Sequence, residues 1–547
     1  MTYIDDIARW VSSLQYSDVP DRVLDIARHQ VASVFGAICA GAGCAGGRAV
    51  MDTVAALGDS GACTTLPDGA GRTFQSALLQ NCSLSMALDY DDYLFLGHTG
   101  HSAVLASMAA AQMRGVSTKR MLTAQVAANE LEGRLGGTVA LGPHNGQMWA
   151  HIHLLGAAAV GAIMLGLDEE ATANALGIAM SEPVYALFPG FMGPQSKLLI
   201  AAVPAITGLT AALLAEKGMT GSRTILEDEQ GFWSHFSFLP LPFIMTGLGR
   251  SWVTDTIAFK PYPGCAYIDT SMDAIFALRS QFEEERGRAL EPKEVRSIEV
   301  DASILTIAMD GMSSMYMDPS RLSPTNINFS LSVSLAIAII AGEFSGAQLT
   351  EEFLTERRED ILELASRVTL RHDASMTVTF IKAFDEAVDV KKLLSQVGIM
   401  DVLKARRGLS GHLSSVATMG PREALRSWQS LSPSDKSFLK GLFSLRSLLK
   451  PSSGYDLGNA RFEGSKLPFG ARVRLELKDG GVLETERSVP RGGPGDPGRL
   501  RVAIEKLQRE AATVMSEKAA AKAVKTILSI EEHTADEVAA VVRAGRE

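Results

Sequence analysis

The sequence predicts a multi-domain protein of α and α+β class, in which a large all-α helical domain precedes a smaller α+β domain. Up to about residue 258, Ala-rich segments repeat apolar residues three and four positions apart, which is the period of a helix. Segments that alternate polar and apolar residues, as strands do, appear only after that point. The 547 residues and the 46% hydrophobic content suit two or three domains with large cores.

The predicted domain boundaries lie where this patterning changes. Residues 1–258 are predicted to form the helical domain. Residues 259–495 are predicted to form the α+β domain, with a partly helical insertion at about 382–466. Residues 496–547 are predicted to be C-terminal helices that return to the helical domain.

The individual elements follow from local patterns. In the first half, helices are predicted at 3–14, 20–40, 73–96, 102–114, 118–134, 154–165, 169–182 and 197–217. In the second half, helices are predicted at 268–284, 327–342 and 350–366, and strands at 296–302, 367–371, 376–381, 471–478 and 482–488. Asp479-Gly480-Gly481 is a hairpin signal between the last two strands. The G-x-G-x-x-G match in GAGCAGG follows a helix instead of a strand, so we interpret it as a helix-to-helix turn.

Composition and charge argue against several classes of protein. A net charge of −10 is the opposite of the basic stripe expected of a nucleic-acid-binding protein. Five cysteines without C-x-x-C spacing indicate neither a disulfide framework nor a zinc ribbon, and they fit a reduced cytoplasm. The acidic, amphipathic N-terminus does not resemble a signal peptide. The apolar run at 198–215 is interrupted by Pro204 and Gly208, which favours a buried helix over a membrane span.

Residues 81–114 concentrate the candidate catalytic groups. Within a context of small apolar residues they carry Asp89, Asp91, Asp92, His98 and His101. If residues 81–96 are helical, Asp89, Asp92 and Tyr93 share one face while Asp91 points elsewhere. Carboxylates that face a histidine could transfer a proton beside a carboxylate substrate.

A second helix is predicted to begin within this segment. Gly97 is the predicted stop of the first helix, and Ser102 is the predicted N-cap of the next. His101 would then lie at the positive end of that helix, which favours its neutral form and welcomes an anion. Two other interpretations are solvated caps and turns, or a metal site built from D-x-D-D and H-x-x-H. That spacing matches no zinc or calcium pattern, so no metal is predicted.

Several longer segments follow one another in a recognisable order: NCSLSMALDYDDY, GHTGHSAV, IMLGLDEEATANALGIA, QSKLLIAAVPAITGLTAALLAEKGMTGSRTILEDEQGFW, FKPYPGCAYIDTSMDA, SPTNINFSLSVSLAIA and LKDGGVLETERSVPRGGPGDP. Together they resemble the MmgE/PrpD family, which contains 2-methylcitrate dehydratase, cis-aconitate decarboxylase and iminodisuccinate epimerase. The resemblance covers most of the chain apart from about 382–466. It implies a large all-α domain with a smaller α+β lid, usually a homodimer, and a cofactor-free site at the domain junction.

The resemblance also implies roles for particular residues. Asp89 matches the first carboxylate of the family's D-[FY]-D-D motif. His101 best matches its downstream histidine, and the loop length leaves His98 possible. Lys197 and Lys260 match two lysines of the family and would hold substrate carboxylates.

Some positions depart from the family pattern. Tyr93 stands where many members carry threonine. Gln147 occupies the column of the histidine in G-W-H-x-T, with His151 and His153 displaced from it, and these three are candidate substrate-binding residues. Five of the ten histidines lie between 98 and 153, which marks one site, although His144, His151 and His153 could equally be caps or core residues. Two further family histidines, after the K-x-L segment and after P-x-C, are missing.

These expectations combine into a cofactor-independent lyase, a dehydratase or decarboxylase that acts on a small polycarboxylate or related acid. The reaction needs proton transfer next to a carboxylate and cations that stabilise the charge formed there. His101 would move the proton, with Asp89 as its orienting or partner acid. The alternatives are an isomerase or epimerase that uses the same proton-transfer site, and a non-catalytic binding protein on the same scaffold. The expected partners are the small carboxylate and a second copy of the chain, without nucleic acid or membrane, in the cytoplasm.

Overall fold

The computed structural model describes residues 2–142, 150–397, 420–442, 454–543 and 545. The structure is mostly helical and has a small sheet in its second half, so the predicted fold class is confirmed. The exact residues at which the domains divide stay a prediction.

The first half of the chain is a succession of helices. They are α1 (Tyr3–Ser13), α2 (Asp21–Ala42), α3 (Ala45–Leu57), α4 (Phe74–Met86), α5 (Gly100–Arg114), α6 (Thr118–Thr138), α7 (Ile152–Leu165), α8 (Glu169–Ala179), α9 (Phe188–Met192), α10 (Leu199–Glu216) and α11 (Phe232–Phe236). Two short strand pairs interrupt them, β1 (Cys63–Thr64) with β2 (Gly71–Arg72), and β3 (Asp92–Tyr93) with β4 (Ala258–Phe259). A helix is present at each position predicted for this half, although one ends early, and Gly43 lies in the predicted turn from α2 into α3.

The second half combines helices with a four-stranded sheet. Its helices are α12 (Asp269–Arg286), α13 (Ile304–Ser314), α14 (Pro324–Ile327), α15 (Leu331–Ala341), α16 (Glu351–Glu356), α17 (Arg358–Ala365), α18 (Ala374–Val388), α19 (Val390–Leu394), α20 (Pro421–Ser430), α21 (Pro433–Leu442), α22 (Arg499–Ala511), α23 (Glu517–Leu528) and α24 (Ala535–Ala539). Its strands are β5 (Val295–Ala302), β6 (Val368–His372), β7 (Ala471–Leu477) and β8 (Val482–Arg487). The helices α19, α20 and α21 lie in the predicted insertion.

The sheet follows the alternation seen in the sequence. Its order is β6-β5-β7-β8, with β5 and β6 parallel and the other neighbours antiparallel. Val300 of β5 pairs with Val473 of β7, and both are fully buried. The hairpin between β7 and β8 turns through Gly480 at a φ of +91°, which glycine adopts easily. The predicted hairpin is therefore confirmed.

Two predicted elements are wrong. The helix predicted at 73–96 ends at Met86, because the acidic motif that follows turns instead of continuing the helix. Residues 376–381, predicted as a strand, belong to helix α18. Asp373 caps that helix by accepting from Ser375 N at 2.8 Å, and Met376 and Val378 are buried within the fold. Cap and burial outweigh the strand preference of the local residues.

Helix α2 packs closely against its neighbours through glycine. A Cβ added at Gly41 would lie 2.0 Å from the carbonyl oxygen of Leu84 in α4. A Cβ added at Gly36 would lie 3.1 Å from Lys506 Cγ and 3.2 Å from Leu507 Cα in α22. The C-terminal helix α22 thus lies directly against α2, at a distance that small residues permit.

Two helical segments, Asp21–Ala42 and Gln195–Glu216, have the length and apolar composition of a membrane span. Within the fold, 89% of the first apolar window and 61% of the second are buried. Core helices of globular domains show the same combination of length and burial. These segments are therefore weak evidence for a membrane span.

Candidate functional site

The acidic motif lies in a tight turn after α4. Asp89 N donates to the carbonyl oxygen of Met86 at 3.1 Å, and Asp89 has a left-handed φ of +50°. A non-glycine residue in such a conformation costs about 1–3 kcal/mol and persists only where surrounding contacts hold it, often at functional sites. The turn ends in β3, whose Asp92 pairs with Phe259 of β4. That pairing brings Lys260, the next residue after β4, to the acidic motif.

Two buried lysines pair with Asp89. Lys197 Nζ lies 2.9 Å from Asp89 Oδ1, and Lys260 Nζ lies 3.5 Å from Asp89 Oδ2. Lys260 also donates to the backbone carbonyl oxygen of Asp89 at 2.6 Å, which supports the left-handed turn. Both lysine side chains are fully buried, so their charges depend on these partners.

Lys197 lies against two neighbouring aromatic rings, one from each half of the chain. It belongs to the 3-10 turn Gln195–Leu198 that leads into α10. Its Nζ lies 5.2 Å from the ring centre of Phe191 and 4.4 Å from that of Phe329. Cation–π contacts of this length stabilise a desolvated ammonium and fix its direction.

Asp91 is the group that joins the lysine to the histidines. Its Oδ1 lies 3.1 Å from Lys260 Nζ, and its Oδ2 accepts from His98 Nδ1 at 2.7 Å. His101 Nε2 lies 3.0 Å from the same Oδ2, although its geometry is not that of a hydrogen bond. The expectation that Asp91 points away from Asp89 is therefore wrong, because both carboxylates converge on Lys260. We call Asp89, Asp91, Lys197, Lys260, His98 and His101 the carboxylate–lysine–histidine cluster.

Three members of the cluster, Asp89, Asp91 and Lys260, favour their charged forms despite burial. Burial opposes ionisation of Asp91, but Lys260, His101 and His98 outweigh burial and hold the pKa of Asp91 well below its ordinary value. Lys197 and Lys260 outweigh burial in the same way and lower the pKa of Asp89. Burial would lower the pKa of Lys260, but the two carboxylates raise it above its ordinary value. The two lysines and two carboxylates form a compact ionic network.

His101 is fully buried, and its Nε2 has only the Asp91 carboxylate nearby and no well-aligned hydrogen bond among the residues that the structure describes. Ser85 Oγ lies 2.8 Å from the carbonyl oxygen of Cys82, to which it donates, and 2.7 Å from His101 Nδ1. Ser85 then accepts from Nδ1–H, so a second proton on Nε2 gives the imidazolium and faces Asp91 Oδ2 at 3.0 Å. Burial lowers the pKa of His101, and Asp91 partly opposes that shift. His101 is the second residue of α5. The N-cap of this helix is Thr99, and not Ser102 as predicted.

Asp92 faces away from the cluster. Its Oδ2 accepts from Gln30 Nε2 at 2.7 Å, in a buried network with Asn129. Burial and the charge of Asp91 raise the pKa of Asp92 to about 6. Gly100 makes room for this carboxyl, since a Cβ there would lie 2.0 Å from Asp92 Oδ1. The predicted pairing of Asp89 with Asp92 on one face is wrong.

Two other candidates border the cluster. The ring of Tyr93 lies 6.3 Å from that of His98, and its buried hydroxyl has no hydrogen-bond partner in the described part of the chain. Burial raises the pKa of Tyr93 well above its ordinary value. The ring of His153 lies 6.2 Å from that of His101. Glu132 Oε2, at 3.1 Å from His153 Nδ1, holds this ring in place.

The remaining candidates are not brought into the cluster. His151 packs edge-on against the stacked rings of Phe232 and Phe236, 4.9 Å from each ring centre, and burial lowers its pKa to about 3. That position fits the core interpretation of this histidine. Gln147 and His144 lie outside the described residues. Within the described ranges, no group of three or more histidine, cysteine, aspartate or glutamate residues is placed to hold a metal ion.

Two family models match successive parts of this chain. A model of the MmgE/PrpD N-terminal domain matches residues 5–240, and one of the MmgE/PrpD C-terminal domain matches residues 262–398. The chain belongs to the MmgE/PrpD family. Both lysines of the cluster, its two carboxylates and its two histidines lie in or directly beside these matches.

Curated relatives of this MmgE/PrpD chain are named as decarboxylases. Cis-aconitate decarboxylase of Aspergillus terreus strain NIH 2624 is 24% identical over 391 residues, which are 67% of this chain and 78% of that protein. A second cis-aconitate decarboxylase of Aspergillus terreus is 23% identical over 66% of this chain and 77% of its own. A cis-aconitate decarboxylase-like protein of Aspergillus oryzae is 25% identical over 56% of this chain and 67% of its own. These relatives support a lyase-type family.

Proposed function

We propose that this protein is a cofactor-independent lyase that removes carbon dioxide from a small unsaturated polycarboxylate, with cis-aconitate as the first substrate to test. The observation that carries the proposal is Asp91, which joins Lys260 to His98 and His101 in one buried cluster. Two ammonium groups and a proton-transfer group within hydrogen-bond distance of shared carboxylates are what this reaction requires.

The lysines would bind substrate carboxylates. Lys197 and Lys260 already pair with the carboxylate of Asp89, which shows that an anion between them is favourable. A substrate carboxylate would share or replace these contacts when the site opens. Charge-assisted hydrogen bonds from buried ammonium groups orient such an anion strongly. The cation charge also stabilises the electron pair that develops next to the carboxylates.

His101 would supply the proton. In the decarboxylation, the bond between the leaving carboxylate and its carbon breaks, and carbon dioxide leaves without the bonding electron pair. That pair shifts through the double bond, and the terminal carbon of the shifted system takes a proton from His101 Nε2. Asp91, 3.0 Å away, stabilises the imidazolium before transfer. His98 is hydrogen-bonded to Asp91 and one fifth exposed, so it connects the cluster to solvent for reprotonation.

The test is proton NMR in deuterated buffer with cis-aconitate, 2-methylcitrate and related acids. We expect a decarboxylated product of cis-aconitate that contains one solvent deuteron. The His101→Gln variant should lose about 10²–10⁴-fold in rate, the usual worth of a positioned acid–base group. The matched control is His235→Gln, because His235 is exposed in α11 and should not affect the rate.

Other products point to the other functions that share this site. Water loss from 2-methylcitrate would make the protein a dehydratase, and deuterium in recovered substrate would make it an isomerase or epimerase. Thermal stabilisation by these acids without turnover or exchange would contradict enzymatic function and favour a binding protein.

The pH dependence tests the role of His101 as a proton donor. Its pKa lies below its ordinary value of 6.5, because burial disfavours the charged ring. A donor must be protonated, so kcat/KM should fall as pH rises through this pKa. Between about pH 7 and pH 8 we expect kcat/KM to fall about tenfold. Steady-state kinetics measure this fall over a pH range in which the substrate carboxylates stay ionised. A rate that instead falls as pH is lowered through this pKa would contradict the role of His101 as the proton donor.

A further inference from the structure

Helix α22 places two basic residues on the turn that carries the acidic motif. Lys506 is fully buried and donates to the backbone carbonyl oxygen of Tyr90, the residue between Asp89 and Asp91. Its Nζ also donates to Ser33 Oγ of α2 at 2.9 Å and lies 4.3 Å from the ring centre of Tyr90. Lys506 therefore contacts both the backbone and the ring of the residue that links the two carboxylates.

Arg509, one helical turn further on, joins this turn to the segment that carries Lys260. Its Nη2 donates to the hydroxyl of Tyr90 and, at 2.7 Å, to the carbonyl oxygen of Pro261. The hydroxyl of Tyr90 donates to the same Pro261 oxygen at 2.9 Å. Pro261 follows Lys260 directly, so one guanidinium group connects the acidic turn with the lysine that bridges it.

The position of α22 is itself fixed. Gly36 lets the helix approach α2 closely, because a side chain at that position would press against Lys506 and Leu507. Glu510 accepts from Arg509 Nε at 3.0 Å and from Gly346 N at 3.3 Å, so the helix is also tied to the second half of the chain. Residues 499–511 lie beyond residue 398, where the match to the C-terminal family domain ends.

We propose that Lys506 and Arg509 are positioning residues, which hold the Asp89–Asp91 turn against Lys260 and thereby set the geometry of the carboxylate–lysine–histidine cluster. The expected effect on kcat rests on the proposed function, whereas the positioning of the turn does not. The left-handed φ of Asp89 needs external contacts to persist, and the bond from Lys506 to Tyr90 together with that from Lys260 to Asp89 supplies them. A misplacement of about 1 Å at such a turn can cost about 10²-fold in rate.

Two conservative variants test the proposal without removing a cluster residue. Arg509→Lys keeps the charge but loses the forked contact to Tyr90 and Pro261, and Tyr90→Phe removes the hydroxyl in the middle of that contact. The side chain of Arg509 is 36% exposed, so the fold should tolerate the change. Arg501→Lys is the matched control, because Arg501 is on the same helix and exposed. Lys506→Met is a further variant that removes the buried contact.

Two measurements distinguish a positioning role of these residues from a mere contribution to stability. With cis-aconitate, Arg509→Lys and Tyr90→Phe should lower kcat by about 10-fold or more while KM changes less, and Arg501→Lys should change neither. Nitrogen-15 NMR of histidine-labelled protein should show the Nδ1–H resonance of His98 shifted in both variants, because its acceptor Asp91 moves. Assignment comes from His98→Gln.

The outcomes distinguish this proposal from the proposed function. A lower melting temperature with unchanged kcat in the folded protein and an unchanged His98 resonance would overturn the positioning role. If the wild-type protein acts on none of the acids, the proposed function fails, and the His98 resonance alone decides the positioning role. A shifted resonance in Arg509→Lys and Tyr90→Phe, and not in Arg501→Lys, supports it.

Discussion

Asp91→Asn is expected to lower kcat/KM of the folded protein for cis-aconitate by about 10²–10⁴-fold, and also to lower stability because it breaks the buried pair with Lys260. Asparagine has the same shape as aspartate but no charge. It would leave His101 without the carboxylate 3.0 Å from Nε2, and His98 without the anion that accepts from Nδ1 at 2.7 Å. The imidazolium of His101 would lose stabilisation, its pKa would fall further, and fewer molecules would carry the proton. Steady-state kinetics at about pH 7 measure the loss.

Asp255→Asn is the matched control for this substitution. Asp255 is also a buried carboxylate with a cationic partner, since it accepts from Arg22 at 3.0 Å and 3.1 Å. It contacts no lysine or histidine of the cluster, so its loss should reduce stability and not turnover. If Asp91→Asn keeps wild-type kcat/KM and circular dichroism, proton transfer through this cluster is the wrong mechanism.

The sequence predicts much of the fold because the helices carry their own signals. The apolar period of α2, α5, α6, α7 and α10 is local, and so are the glycines and the alternation of the β7–β8 hairpin. Residues 376–381 fail this reasoning because β-branched residues favour a strand locally, whereas the cap at Asp373 and the packing of Met376 and Val378 decide for a helix. Tertiary contacts outweigh local preference there.

The site is predicted less well, for a physical reason. Asp89, His101, Lys197 and Lys260 come from the resemblance to the family, while helical spacing assigns the wrong partner to Asp89. The turn at Asp89 is held by Lys260 and by Lys506, which lie 171 and 417 positions further along the chain, as counted from 89 to 260 and 506. No local pattern reports such contacts, so the sequence assigns Asp91 no role of its own. Its place inside D-Y-D-D is the one sequence signal that points to it.

Lys260→Met is expected to lower the free energy of unfolding by about 3–5 kcal/mol, the usual cost of breaking a buried ion pair by removing one partner. Lys260 is fully buried, and its ammonium neutralises parts of both Asp89 and Asp91. Methionine fills a similar volume without charge and leaves Asp91 with the two histidines alone. Guanidinium denaturation followed by circular dichroism measures the change.

The pH dependence of the stability loss in Lys260→Met distinguishes the loss of the ammonium charge from the loss of side-chain packing. In the wild-type protein the pKa of Asp91 lies below its ordinary value, so its contribution to stability is present above about pH 4 and is lost as pH falls through the folded-state pKa. In Lys260→Met, burial is no longer outweighed and that pKa rises, so the variant gains stability as pH falls. The difference in stability from the wild-type protein should therefore shrink between about pH 7 and pH 4.

Lys293→Met is the control, because Lys293 is exposed and paired with Glu291, and it should show no measurable loss of stability at either pH. A deficit for Lys260→Met that is the same at both pH values would mean that packing, and not the ionic network, holds this part of the structure together.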